Sequence, residues 1–259
     1  MTAPRIFEPE YYARMRALEA ASWWNAGMRD VASLLLDQVS LAPTGLMLDV
    51  GCGSGQTMMW FARRHPRWRT LGLDVAWEGV AAARHAGAGP VLAGSALALP
   101  LPDRSVDLAI TLDVMQHLPL AGGDVAALAE LRRVLKPGGH LFVRTNAQAF
   151  PRTGDDPAYN FHKYEPAEFR AKLESAGFTV MRLSRLNALL GLAEIPRELR
   201  ARRSQNSEYH GLLADPAAVR SNMASLKRVW LQIEGRLVSA GWRMPFGRTI
   251  VALCRVPGR

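Results

Sequence analysis

Cysteine is nearly absent from this chain. Cys52 and Cys254 are its two thiols in 259 residues, which excludes a disulfide framework or a cysteine-rich zinc module and suits a reducing, cytoplasmic setting. Long apolar runs are missing as well. No uninterrupted stretch reaches the roughly 18 residues that a membrane-crossing helix needs, and the opening MTAPRIFEPEYYARMR has no apolar core of signal-peptide type. There is no internal repeat and no low-complexity tract. Acids are outnumbered, 23 Asp and Glu against 32 Lys and Arg, for a formal charge of +9. Such a surplus favours anionic partners. Yet no RNA-module pattern of stacking aromatics accompanies it, so the cluster PRELRARR (196–203) reads as a solvated basic helix face and nucleic acid is not the expected partner. What remains is ample apolar material, 49% of residues, enough to bury a full core in one domain with an appendage.

Apolar periodicity predicts helix over residues 8–40, with Gly27 as a break. Short apolar strands then alternate with helices. Strands are expected at 46–50, 70–76, 90–94, 106–113 and 140–146, and helices at 56–66, 77–87 and 124–139, the last stopped by Pro-Gly-Gly. A polar loop leads to a helix from Pro166 and a strand over 178–187. Residues 188–245 read mostly as helix, and 246–256 have strand composition. This is an α/β chain with a doubly wound, mostly parallel sheet covered on both faces. Its segments are a helical N-terminal lid (1–44), a core (45–186 and 246–259) and a helical insertion (187–245) expected to cover the site. Ligands in such sheets bind beyond the carboxyl ends of the strands. The glycine loop after the first strand, Asp74, Asp113 and Asn146 all fall at those ends and are expected to share one cleft.

The loop itself, LMLDVGCGSGQ (46–56), puts glycine at 51, 53 and 55. A dinucleotide loop usually spaces its glycines Gly-x-Gly-x-x-Gly, with the pyrophosphate on the helix N-terminus. Here the spacing is tighter, and Asp49 precedes it. A carboxylate in that place repels a pyrophosphate and attracts an ammonium or sulfonium. Asp74, about 20 residues further on at the end of the second strand, can accept both hydroxyls of a ribose. That acid alone would also fit NAD; spacing and Asp49 together favour S-adenosylmethionine.

Four blocks, LDVGCGSG, LGLDVA, ALPLPDRSVDLAITLDVMQHL and ELRRVLKPGGHLFV, resemble in order and spacing the class I S-adenosylmethionine-dependent methyltransferases of type 11. ASWWNAGMRD, NFHKYEPAEFRAKLESAGF and MPFGRTIVALCR extend the similarity to a bacterial subgroup with a helical insertion before the last strand. The resemblance implies a Rossmann-like methyltransferase fold, a seven-stranded sheet with the last strand antiparallel. It also implies roles by position. Asp49, Gly51, Gly53 and Gly55 would line the methionine end, Asp74 would hold the ribose, and Ala76 and Trp77 would sit by the adenine edge. Ser95 and Ala96 would meet the adenine amine, although Ser95 stands where the family often has an acid. Thr111 and Asp113 would approach the methionyl portion.

Methyl transfer from a sulfonium is an in-line displacement. The cofactor brings the electrophile and the protein positions the acceptor and shuts out water, with no metal required. A base is needed only where the acceptor must lose a proton. His117, in LDVMQHLP at the cleft mouth, is the candidate, set against a packing role beside the cofactor. Trp24, Arg144, Asn146, Tyr159 and His162 are candidates for the acceptor pocket. Alternatives are that Arg144 pairs with Asp155 or Asp156 and that HKYEP is a surface turn with Tyr164 packed beneath it. Adjacent Trp23 and Trp24 cannot share a helix face, so one is expected in the core and the other towards cleft or solvent. Arg29 could reach the cofactor carboxylate bidentately. The expected activity is methylation of oxygen or nitrogen on a small molecule such as a sugar or secondary metabolite, releasing S-adenosylhomocysteine. Set against it are an RNA or protein methyltransferase, a non-catalytic cofactor-binding subunit, and a dehydrogenase.

Overall fold

A computed structural model of the chain describes residues 22–148, 162–188 and 224–258. Among them, helix α1 (Trp23–Leu36) is capped by the Ser22 hydroxyl, which accepts from the Asn25 amide at 3.2 Å. Then β1 (Leu46–Val50), α2 (Gln56–Arg64), β2 (Arg69–Asp74), α3 (Trp77–His85) and β3 (Val91–Ala93) alternate. A long loop leads to β4 (Val106–Leu112), a single 3-10 turn (Met115–His117), α4 (Gly123–Val134) and β5 (Leu135–Asn146). The chain closes with α5 (Pro166–Ser175), β6 (Thr179–Leu186), α6 (Ala224–Ser239) and β7 (Thr249–Arg255).

The seven strands form one sheet in the order β3-β2-β1-β4-β5-β7-β6, with β7 antiparallel to both of its neighbours. Strand order reverses between β1 and β4, and the crevice at that switch is where an α/β sheet of this kind receives its ligand. Side-chain alternation sorts the core into two layers. Met47, Leu108, Ile110 and Phe142 face α1, α2, α3 and α6, whereas Leu48, Ala109, Leu141 and Val143 face α4 and α5.

Two expectations need correction. Gly27 does not break its helix; it lies inside α1, where a Cβ would stand 2.8 Å from Leu231 Cδ1 on α6. Gly235 on α6 answers it, since its Cβ would stand 2.9 Å from Val31 Cγ2. The two bare positions let the helices cross closely, and Asp30 fixes the crossing by accepting from Arg228 at 2.7 Å and Gln232 at 2.8 Å. Likewise α4 stops at Val134, before Pro-Gly-Gly. The amides of Arg104 and Ser105 take the carbonyls of Arg133 and Val134 at 2.9 and 2.8 Å, and Leu135 already pairs with Val106. The Pro-Gly-Gly segment is thereby drawn into β5.

The end of β6 is fastened to α6 by Glu234. Its fully buried carboxylate accepts from the amides of Asn187 and Ala188 at 2.6 and 3.0 Å and from Trp230 Nε1 at 2.6 Å. No helix among the described residues is long and apolar enough to cross a membrane.

Candidate active site

The loop between β1 and α2 is fastened to the end of β2 by three backbone donors. Gly51 and Cys52 both donate to the Leu73 carbonyl, at 2.7 and 3.0 Å, and Gly53 donates to Asp74 Oδ2 at 2.8 Å. Asp74 Oδ1 accepts from Ala76 at 2.9 Å. One carboxylate therefore ties the glycine loop to the turn that opens α3. Gly51 has φ 76°, a conformation that costs a side-chain-bearing residue about 1–2 kcal/mol. It also has no room for one, because a Cβ would lie 2.1 Å from Val114 Cγ2. Gly55 is bare for a different reason: its Cβ would lie 2.3 Å from the Cβ of Ala88, so it serves the packing of α2 on the α3 side.

Asp49 and Asp74 are 1% and 5% exposed. Their field is visible at Cys52 between them, whose thiol is driven far above its usual range, first by burial and then by the charges of Asp49 and Asp74. Burial and the two carboxylates both favour the protonated thiol over the thiolate, the nucleophilic form. Burial also lifts the Asp74 carboxyl, against the pull of the Ala76, Gly53 and Val75 amides. Such a site fits a cation and opposes a pyrophosphate. Gly53 donates to one Asp74 oxygen and Ala76 to the other, and a carboxylate has about four lone-pair sites in all.

Beside Asp74, Val75 and Trp77 are 64% and 62% exposed and flank the buried Ala76. They offer apolar cover of the kind a purine needs. Arg84 lies over the Trp77 ring at 5.6 Å. Val75 was missed in the sequence; the signal was a large apolar residue directly after a strand-ending acid. Ser95 closes a turn, its hydroxyl accepting from Leu97 at 3.1 Å, and Ala96 is buried.

At the ends of β4 and β5, Arg144 and Asp113 form one unit. Arg144 Nε donates to Asp113 Oδ1 at 3.0 Å, Nη2 donates to Oδ2, and the Asp113 amide donates to the Arg144 carbonyl at 2.9 Å. Asp113 holds φ 59° to make this fork. Asp155 and Asp156, the partners considered for Arg144, lie outside the described residues.

Thr111 shares its side of β4 with Ala109, opposite the side that Asp49 shares with Met47 on β1. Its fully buried hydroxyl makes no hydrogen bond among the described residues. Thr111→Val is therefore expected to raise stability by about 1 kcal/mol and to leave cofactor affinity unchanged. A thermal melt and a calorimetric titration check this, and weakened binding would show that the hydroxyl meets the ligand.

His117 ends the 3-10 turn, half-buried, with its amide donating to the Val114 carbonyl at 2.8 Å. The turn is held from both sides. Gln116, which the sequence did not single out, accepts from Thr145 Oγ1 at 2.9 Å through its side chain and from the His162 amide at 2.8 Å through its backbone. Tyr164 is buried beneath, donating to the Met115 carbonyl at 3.1 Å and lying 3.2 Å from Asp124 Oδ2. The His162 ring packs edge-on against Tyr164 at 4.2 Å, with Nε2 3.3 Å from Glu168. The His162 backbone amide thus reaches the turn that carries His117, while its ring packs on Tyr164. Asn146 accepts the Tyr164 amide at 3.0 Å through its carbonyl. Tyr159 lies outside the described residues.

On α1, neither Trp23 nor Trp24 is fully buried or fully exposed. Both are half-buried, with rings 6.0 Å apart edge to face, and both pack on the α1 side of the core. Arg29 is half-buried beside Asp30, whose charge it helps to hold. Among the described residues no three His, Cys, Asp or Glu side chains gather as a metal-holding group.

Fold and site together define a doubly wound α/β protein with two buried carboxylates and a bare glycine loop at its switch point. A family model described as a methyltransferase domain, of type 11, matches residues 48–143. A probable S-adenosylmethionine-dependent methyltransferase of Mycolicibacterium smegmatis is 32% identical over 188 residues, covering 68% of this chain and 72% of the relative. The trans-aconitate 2-methyltransferase of an Azoarcus species is 32% identical over 142 residues, covering 55% of this chain and 53% of the relative. Among solved structures, the complex of the Haloferax volcanii Trm112 methyltransferase activator with a putative methyltransferase superposes with a TM-score of 0.62 at 19% identity. That match covers 96% of this chain and 95% of that one. The chain belongs to the class I S-adenosylmethionine-dependent methyltransferases, a family of enzymes. It spans 41% and 53% of the length of two of the curated relatives it matches.

Proposed function

We propose that this chain transfers the methyl group of S-adenosylmethionine to an oxygen or nitrogen of a small-molecule acceptor. The observation that carries the reading is the pair of buried carboxylates, Asp49 and Asp74, bracketing a loop whose glycines leave the backbone bare. When bound, the cofactor supplies a sulfonium electrophile that needs no further activation. In this reading Asp74 accepts the ribose hydroxyls, Val75 and Trp77 cover the purine, and Ser95 and Ala96 meet its amine. Asp49 and the loop from Gly51 to Gly55 receive the methionine end, with Arg29 on its carboxylate.

The acceptor side is formed by the turn carrying His117 and by the Arg144–Asp113 fork. That fork is internally neutral, so it orients an acceptor through hydrogen bonds rather than net charge. Trans-aconitate in the name of the Azoarcus relative supports a metabolite-sized acceptor. Labelled cofactor offered with metabolite extract and with total RNA tests this, and label is expected in the small-molecule fraction; label in RNA alone would overturn it.

With His117 as general base, His117→Ala lowers turnover by the largest factor at low pH. At higher pH the acceptor loses its proton without help and the gap closes. The ratio of wild-type to variant kcat against pH measures this, and a flat ratio assigns His117 to packing.

A further inference from the structure

The adenine side of the site stands on a loop with little anchoring of its own. β3 is three residues long, lies at the sheet edge and pairs with β2 alone. After it the chain runs through 94–105, twelve positions with three leucines and two prolines, before β4 begins. Within this loop, Ser95 and Ala98 form a tight turn, the Ala98 amide donating to the Ser95 carbonyl at 3.2 Å. Immediately beyond the turn the chain is gripped from α4.

Arg133, in the last turn of α4, supplies that grip, and all five of its guanidinium N–H groups find acceptors. Nε donates to Glu130 Oε1 at 2.7 Å, and Nη2 donates to Glu130 Oε2 at 2.8 Å and to the Leu99 carbonyl at 2.9 Å. Nη1 donates to the Leu101 carbonyl at 2.8 Å and to Asp103 Oδ1 at 2.7 Å. Glu130 closes the circuit by accepting the Leu99 amide at 2.7 Å. Leu99 is thus held by both its N–H and its C=O, four residues after Ser95. A planar, five-donor fork can do this; a lysine ammonium cannot span the same acceptors.

We infer that Arg133, braced by Glu130, is the positioning residue that fixes the adenine-contacting loop from α4, whose core layer Ala96 and Leu99 of that loop share. The inference rests on the cofactor reading above. With serine at position 95, where the family often has an acid, the purine amine meets a weaker acceptor, so placement of the loop weighs more in its recognition.

The test compares two ligands that share the adenosine part. S-adenosylhomocysteine carries the amino-acid tail and 5′-methylthioadenosine lacks it. In Arg133→Lys, Kd is expected to rise for both by the same factor, about five- to tenfold, as for loss of roughly one well-placed hydrogen bond. Should that variant fail to fold, Glu130→Gln serves. Its amide leaves one acceptor oxygen for three donors, and about a threefold matched loss is expected. Unchanged affinities in a folded variant, or a loss for S-adenosylhomocysteine that 5′-methylthioadenosine does not share, overturns the inference. A wild-type chain that binds neither ligand removes the cofactor reading itself, and this inference with it.

Discussion

Asp74→Ala is expected to abolish cofactor binding while the sheet remains folded. The side chain does two jobs at once. Its oxygens accept the amides of Gly53 and Ala76, holding the glycine loop against the start of α3, and in the proposed reading they also accept the ribose hydroxyls. Truncation leaves two loop amides without their acceptor, at about 1–3 kcal/mol each before water returns, partly offset because a buried carboxylate no longer has to be desolvated. A net loss of stability of about 2 kcal/mol is expected. The loss in binding is larger. Two hydrogen bonds to an ionised acceptor are worth at least about 3 kcal/mol together, which is a fall of 100-fold or more in affinity. Asparagine does not rescue, because its amide nitrogen would face a backbone donor. Calorimetry with S-adenosylhomocysteine and a thermal melt separate the two effects; wild-type affinity in Asp74→Ala would take the ribose role away from this residue.

The same carboxyl gives the site a pH signature of two opposite signs. Burial lifts it above the usual aspartate range, against its backbone donors. A folded-state pKa above the unfolded one means that this group's contribution to stability is fully present below the unfolded value and is lost as pH rises through the folded value. Ribose hydroxyls donate to the ionised form. Affinity for the cofactor therefore falls as pH drops through that elevated value, over the range in which the free protein gains stability from this group.

Gly51→Ala is expected to damage both loop and turn. At φ 76° the added methyl is strained by itself, and it would lie 2.1 Å from Val114 Cγ2. Val114 leads into the 3-10 turn of His117, so its displacement moves that turn as well as the glycine loop. A loss of about 3 kcal/mol in stability, from about 1–2 for the conformation and 1–3 for the overlap, is expected. Cofactor affinity is expected to fall at least tenfold. Pairing it with Val114→Ala removes the overlap and leaves the strain, so the double variant is expected to recover part of the stability. Denaturant melts of the four proteins in this cycle measure the coupling; additive losses would show that the two residues do not meet as described.

The sheet was legible in the sequence because buried strands write largely apolar runs, and β1, β2 and β4 carry an acid at or beside their carboxyl ends, Asp49, Asp74 and Asp113. The bareness of the loop was legible as well, but not the reason for each glycine. Gly51 is bare because of Val114 and Gly55 because of Ala88, contacts that local spacing does not encode. Gly27 misled for the same reason: its partner, Leu231, lies on a helix at the far end of the chain. The end of α4 was misplaced because Pro-Gly-Gly is a stop signal in isolation, whereas the amides of Arg104 and Ser105 end the helix earlier from outside it. The Arg144–Asp113 fork joins residues 31 apart, a pairing that only the β4–β5 register brings about. Arg133 looked like one more charge in a basic chain; Glu130 stands three residues before it on the same helix, but its other three acceptors, Leu99, Leu101 and Asp103, meet it only when the loop before β4 folds back over α4.

The most direct test is calorimetric titration of the wild-type chain with S-adenosylhomocysteine and, separately, with NADH. Saturable one-to-one binding of the first and no binding of the second are expected from a loop bracketed by Asp49 and Asp74. NADH filling the site, or displacing S-adenosylhomocysteine from it, would contradict the assignment of that loop to a sulfonium donor.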